Sequence, residues 1–268
     1  MAAPQHAASI SSIGIPREIK RDEQRVALTP DAVRELVSQG LEVRIERDAG
    51  AGAGIDDATF AAAGAELVSR EDAWGAHLVV KVKEPQPEEF PFLRSDLVLF
   101  TYLHLAPDKP QTDDLVRSGA TCIAYETVTD RTGHLPLLAP MSEVAGRMAI
   151  QAGAHCLEKA MGGRGVLLGG VPGVPPARVT VVGGGVVGQN AIAMAIGMGA
   201  QVTVLDRNMD VLRELDHRYG NRLTTLFSTT QTLDQAVTES DLVIGSVLIP
   251  GASAPKLITR DMIRRMPE

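Results

Sequence analysis

One segment constrains the fold more than any other. An apolar run of strand length, residues 179–182, passes directly into GGGVVG, Gly183 to Gly188, and a helical pattern follows as far as Met198. Gly183, Gly185 and Gly188 spell G-x-G-x-x-G, a pattern that Ala- and Gly-rich chains also produce by chance. Its context makes it informative: it joins a strand to a helix, and Asp206 closes the next strand 18 residues beyond Gly188. In such a loop the first glycine makes the tight turn, the second admits a pyrophosphate close to the backbone, and the third lets helix and strand pack. Main-chain N–H groups at the helix start then face the phosphates, with Val186 and Val187 in that first turn. A carboxylate at the position of Asp206 accepts hydrogen bonds from the ribose hydroxyls and repels a 2′-phosphate, which favours NAD over NADP. Arg207 beside it is a cation that softens this repulsion.

Strand and helix patterns alternate on both sides of this loop. From Ser12 a short apolar strand leads to Thr29 as N-cap and Pro30 as first helical residue, with Val33, Leu36 and Val37 on one face and Gly40 as the stop. Leu41, Val43 and Ile45 then face one way while Glu42, Arg44 and Glu46 face the other. Asp57 opens an Ala-rich helix that ends near Gly64. Residues 77–82, 96–101 and 120–124 read as strands, with a Pro- and Glu-rich stretch at 84–91 and a helix at 111–118. Ser142 is the expected N-cap of a long helix through about Lys159 that bridges two domains, and residues 162–176 read as a loop or loose hairpin. Strands at 201–205, 223–227 and 242–247 follow, then a helix capped by Thr259. The expectation is an α/β protein of two domains with a cleft between them. Residues 1–11 are a flexible arm, 12–141 a parallel-sheet substrate domain, and 142–268 a doubly wound Rossmann domain for NAD that lacks its last strands.

Composition removes several classes. With 26 basic against 33 acidic residues the net charge is −7, so there is no surplus cation for a nucleic-acid backbone. Two cysteines, Cys122 and Cys156, make neither a disulfide framework nor a metal-ligand cluster, and they fit a reducing compartment. No metal site is expected. The first twelve residues carry no basic and apolar leader pattern, and no apolar run approaches the roughly 18 residues that span a bilayer. A cytoplasmic protein without a membrane segment is the expectation.

Four blocks outside the glycine loop point to a family. GIPREIKRDEQRVALTP (14–30), KVKEP (81–85), YLHLAP (102–107) and APMSEVAGR (139–147) occur in this order, and the chain from about Ile13 onward resembles the alanine dehydrogenases. It also resembles the N-terminal part of the transhydrogenase alpha subunit, which KVKEP, LHLAP and MSEVAGR fit less well. The resemblance implies NAD-dependent, reversible oxidation of L-alanine to pyruvate and ammonium by a homo-oligomer, hexameric by family analogy. It implies that Arg25 and Lys83 hold the substrate carboxylate or polarise its carbonyl, and that His104 is the general acid and base. For the cofactor it implies contacts from Ser142, the glycine loop, Asp206, Ser228, Val247 and Leu248. At Val211, where relatives often carry Lys or Arg, an extra polar contact to the adenosine half is not expected. It also places a catalytic aspartate, a cofactor-contacting asparagine and further Rossmann strands beyond Glu268.

Residue chemistry supports part of this independently. Lys83 and His104 each stand just past the carboxyl end of an expected strand, where open α/β sheets gather ligands. A histidine titrates near operating pH and can pass a proton either way. Competing structural readings exist: His104 as a core histidine between Leu103 and Leu105, Lys83 as a solvated partner of Glu84, and Arg25 as a surface residue in a charged run. Besides an alanine dehydrogenase, two functions remain open, a transhydrogenase nucleotide-binding part and an inactive truncated remnant.

Overall fold

The computed structural model describes residues 10–247 and 256–267. The chain forms two compact units that meet in sequence between Leu135 and Pro136. Most of the expected N-terminal arm lies outside the described residues, as does Leu248.

The first unit is built on six parallel strands: β1 (Ser12–Ile15), β2 (Glu42–Glu46), β3 (Glu66–Val68), β4 (Leu78–Val80), β5 (Val98–Thr101) and β6 (Thr121–Ala124). Their order is β3-β2-β1-β4-β5-β6, so the strand order reverses between β1 and β4. Such a reversal is the switch point where loops from neighbouring strands part and leave a crevice at the carboxyl ends. The helices are α1 (Pro30–Ser38), α2 (Asp57–Ala62), α3 (Arg70–Trp74) and α4 (Lys109–Ser118). Thr29 caps α1 by accepting from Ala32 N, with Pro30 in the first turn as expected. The helix begun by Asp57 is capped one residue earlier, by Asp56. Its core comes from the sheet residues Ile15, Ile45 and Leu99 with Phe60 and Trp74, all essentially inaccessible. Each such side chain contributes about 1.5–3 kcal/mol over leaving it exposed.

One detail of this unit differs from expectation. The β3–α3 pair was not anticipated: three residues carrying a Glu, followed by a five-residue helix, give too short a pattern to stand out. Glu46, on the face of β2 opposite Ile45, is buried, and its carboxylate accepts Arg17 N at 2.8 Å and pairs with Arg70 at 3.3 Å.

The second unit begins with α5 (Ala139–Cys156) and continues through β7 (Arg178–Val182), α6 (Val186–Gly197), β8 (Gln201–Asp206), α7 (Met209–Tyr219), β9 (Leu223–Phe227), α8 (Thr230–Thr238), β10 (Leu242–Gly245) and α9 (Arg260–Arg264). Its four parallel strands run in the order β10-β7-β8-β9, with β7 at the reversal. The helix expected to bridge the domains lies within this unit and packs on α6. A Cβ at Gly146 would meet Val187 O at 2.2 Å, so only glycine allows that approach. Ser142 is not its N-cap: Leu138 holds that place, because Pro140 suits the first turn and starts the helix earlier. The helix stops at Cys156, short of Lys159.

Candidate active site

In the second unit the loop after β7 forms a main-chain cradle. Gly183 has φ +105°, a left-handed value that disfavours any side chain, and a Cβ at Gly188 would lie 1.8 Å from Gly183 O. At Gly185 an added Cβ meets nothing within 4 Å, so the middle glycine faces open space at the start of α6. Tight turn, open approach and close packing are the three demands of a pyrophosphate cradle, and here they fall on the expected glycines. The residues therefore fit a dinucleotide. Val186 is exposed and Val187 half-buried in the first turn of α6.

Asp206 ends β8 against this loop. Its Oδ2 accepts Gly184 N at 2.6 Å and its Oδ1 accepts Asn208 N at 2.8 Å. A carboxylate has about four acceptor sites, so two bonds to the main chain still leave capacity for ribose hydroxyls. Ser228, just past β9, donates its N–H to Asp206 O at 2.9 Å. Val247, past β10, lies against the loop: a Cβ at Gly183 would touch its Cγ2 at 3.0 Å. The neighbouring Ser246 hydroxyl lies 2.9 Å from Val182 O and 2.8 Å from Gly183 O, tying β10 to the turn. Ser142 sits half-buried in the first turn of α5.

In the first unit the expected residues follow strands that are neighbours in the sheet. Arg25 lies in the β1–α1 connection, Lys83 three residues past β4 and His104 three residues past β5. Each is set by a carboxylate that sequence reasoning did not select. Glu23 accepts from Arg25 Nε at 2.8 Å and Nη2 at 2.6 Å, gripping one edge of the guanidinium. Glu18 Oε1 accepts Val82 N at 2.6 Å and Lys83 N at 3.4 Å, while Thr101 Oγ1 donates to Lys83 O at 2.9 Å. Glu126 Oε1 accepts His104 N at 2.7 Å and Leu103 N at 3.0 Å.

The electrostatics follow from these pairings. The Arg25 guanidinium holds the Glu23 carboxyl below its ordinary value, and the Lys83 ammonium pulls weakly in the same direction, which places it near this pair. Burial pushes Glu18 up against the opposing attraction of Lys81. Lys81 is wholly buried, its Nζ 2.7 Å from Glu89 and 3.2 Å from Glu18. Of the two lysines in KVKEP, Lys81 is thus consumed by internal ion pairs. Lys83 is half-buried, and its ammonium makes no hydrogen bond or ion pair among the described residues. Glu84, the competing partner for Lys83, pairs with Lys20 instead.

His104 is exposed rather than a core histidine, and it holds φ +50°. For a residue other than glycine the left-handed region costs on the order of 1–3 kcal/mol. The two N–H groups gathered by Glu126, and Leu103 O accepting from buried Gln111 Nε2 at 2.6 Å, hold the backbone there. Tyr102 lies nearly parallel to the imidazole, ring centres 6.0 Å apart. Burial raises the Tyr102 phenol above its ordinary value, although nearby Arg25 draws it down. A cavity of 270 Å³ opens beside Arg25, lined also by Arg17, Glu18, Glu23 and Asp48. Its charged lining is two arginines against three carboxylates, and neither Lys83 nor His104 lines it.

Glu18, Glu126 and Tyr102 were not selected from sequence, although Glu18 and Tyr102 lie inside the blocks GIPREIK and YLHLAP that carry the family resemblance. Their roles depend on partners up to 65 residues away, beyond the reach of a local motif.

Known proteins match over nearly the whole chain. Residues 14–145 match the family described as Alanine dehydrogenase/PNT, N-terminal domain, and residues 149–268 match Alanine dehydrogenase/PNT, C-terminal domain. The chain is 61% identical to a protein named alanine dehydrogenase from Halomonas elongata, over 95% of this chain and 69% of that one. Among solved structures, an L-alanine dehydrogenase superposes with TM-score 0.89 at 50% identity, covering 96% of this chain and 71% of the other. A transhydrogenase from Sinorhizobium meliloti superposes with TM-score 0.80 at 28% identity, over 96% and 75%.

Proposed function

The chain belongs to the alanine dehydrogenase/PNT family, and on that premise we propose that its activity is the NAD-dependent, reversible oxidative deamination of L-alanine. Alanine, NAD⁺ and water give pyruvate, ammonium, NADH and a proton. NAD supplies the acceptor for the hydride that leaves the substrate Cα. Residues 12–141 carry the substrate machinery and residues 142–268 the cofactor machinery. Arg25 and Lys83 hold the carboxylate and the oxygen of the developing keto acid, with Glu23 and Glu18 fixing their positions. The imine carbon left by hydride loss takes up water. His104 accepts the proton from that water and returns one to the nitrogen as ammonia departs. Gly183, Gly185, Gly188, Val186 and Val187 would cradle the pyrophosphate, Asp206 would take the adenosine ribose, and Ser142, Ser228 and Val247 would add contacts, with a role for Leu248, outside the described residues, implied by the family resemblance alone.

The observation that carries this reading is the pairing of each expected substrate residue with its own carboxylate at the carboxyl ends of adjacent strands. A transhydrogenase part needs no such pocket for an amino acid. We further infer a homo-oligomer, hexameric by family analogy, working in the cytoplasm. No helix among the described residues is long and apolar enough to cross a membrane.

The test has two parts. NADH fluorescence titration reads the cradle, and alanine-dependent formation of NADH reads the chemistry. In this chain extended by the C-terminal stretch that the resemblance implies, alanine should be oxidised at roughly 1 per second or faster. NADH binding with hydride exchange between two nicotinamides, and no alanine oxidation, would overturn the assignment.

A further inference from the structure

We propose that Arg207 makes the adenosine end of the cradle tolerant of a 2′-phosphate, so that the protein takes NADP(H) as a second, weaker dinucleotide beside NAD(H). The proposal rests on reading the glycine loop as a dinucleotide cradle. Asp206 is the element that excludes a 2′-phosphate, through charge repulsion and its demand for hydroxyl donors. Both its oxygens already accept main-chain N–H groups, from Gly184 at 2.6 Å and Asn208 at 2.8 Å. Two amide dipoles therefore point their positive ends at this carboxylate and reduce the field that an incoming phosphate meets.

Arg207 is the first residue past β8, so its Cα lies one peptide from the selecting acid. It is exposed and makes no hydrogen bond or ion pair among the described residues. Two acids of the following helix are engaged with other arginines: Asp210 pairs with Arg213 at 2.8 Å and Glu214 with Arg218 at 2.6 Å. Arg207 is thus a cation with no ion-pair partner among the described residues, next in sequence to the acid that takes the ribose. Val211, in the first turn of α7, supplies no second cation, because a valine carries no charge, and it packs inward; a Cβ on Gly184 would meet its Cγ1 at 2.7 Å. A guanidinium offers a planar fork of donors matched to phosphate oxygens, and its charge offsets the cost of placing two anions together. Asp206 keeps NAD(H) the tighter ligand, while Arg207 limits the penalty.

The experiment compares NADH and NADPH, which share one fluorophore, by fluorescence titration of the intact chain, with adenosine 2′,5′-bisphosphate and ADP as competing probes. NADH should bind about ten- to a hundredfold tighter than NADPH. Arg207→Leu should weaken NADPH and the bisphosphate at least tenfold further, leaving NADH and ADP within twofold. Arg207→Lys should keep part of the NADPH affinity, as a point charge without the fork. Added salt should weaken NADPH more than NADH. Wild-type protein that binds NADH but shows no NADPH binding overturns the proposal, as does an Arg207→Leu loss shared equally by both nucleotides. Failure to bind NADH at all would instead overturn the dinucleotide reading, so the two failures are distinguishable.

Discussion

In the unit that carries the glycine loop, the groups offered to a ligand, the Asp206 carboxylate apart, are main-chain N–H groups, and their neighbours shape them by having no side chain. In the unit that carries His104 they are the side chains of Arg25, Lys83 and His104; Glu23, two residues away, grips the Arg25 guanidinium, while Glu18 and Glu126, distant in sequence, hold the Lys83 and His104 peptides. Both sites stand at the carboxyl ends of parallel strands, beside a reversal of strand order. The first kind of site is local and steric, and it fails when an atom is added. The second is long-range and electrostatic, and it fails when an atom or a charge is removed.

The sharpest way to separate them is to remove His104. In the C-terminally extended chain, His104→Ala should lower turnover with alanine about 10²- to 10⁴-fold while NADH affinity stays within twofold. Unchanged turnover would return this histidine to a structural role. The converse is Gly188→Ala, whose Cβ would stand 1.8 Å from Gly183 O. Overpacking costs about 1–3 kcal/mol, and more where, as here, the added atom meets main chain. NADH binding should fall about a hundredfold, while the fluorescence of Trp74, the single tryptophan and a core residue of the first unit, should stay unchanged. A shift in that fluorescence would show that the two sites are not separable in this way.

A smaller effect tests whether the carboxylates are positioning residues. Glu126→Ala removes the acceptor of two N–H groups and should cost about 1–3 kcal/mol, read as a lower kcat with KM little changed. Glu126→Gln keeps one acceptor oxygen and should recover part of the rate. Equal loss in both variants would mean that the negative charge, rather than the hold on the backbone, is what matters. The smallest expected effect is on acid stability. Arg25 holds the Glu23 carboxyl below its ordinary value of 4.5, so this pair stabilises the fold at higher pH and the contribution is lost as pH falls through the depressed value. Arg25→Ala should therefore match the wild type in stability at low pH and fall below it as pH rises from beneath the depressed value to the ordinary 4.5, followed by Trp74 emission during urea unfolding. A difference independent of pH would locate the effect in packing.

The same contrast explains what could be read from the residues alone. The glycine loop and Asp206 were legible because their geometry is written within a few consecutive residues and one strand spacing. Lys83, His104 and Arg25 were legible as side chains of the right chemistry past strand ends, or through family blocks. Glu126, which holds His104, was not, because nothing marks a glutamate 22 residues away as facing two N–H groups of another loop. The long helix was misread at its start for a local reason: Ser142 is a good cap, but Pro140 had already opened the first turn. The order of the first sheet was also invisible, since a strand as short as Glu66–Val68 leaves no periodicity to count.

The tie between Ser246 and the glycine turn has a consequence in time rather than in space. Strands β7, β8 and β9 are joined by short crossovers, whereas β10 must return across about sixty residues to pair with β7 on its other side, Leu242 opposite Val179 and Gly245 opposite Val182. Closing that interval costs more chain entropy and is slower than pairing near neighbours. Until it happens the Gly183 carbonyl lacks the Ser246 hydroxyl, and Val247 is not yet seated beside the turn. During refolding, competence to hold a dinucleotide should thus be among the last properties acquired, arriving after most of the secondary structure, with bound cofactor acting as a latch on the final strand.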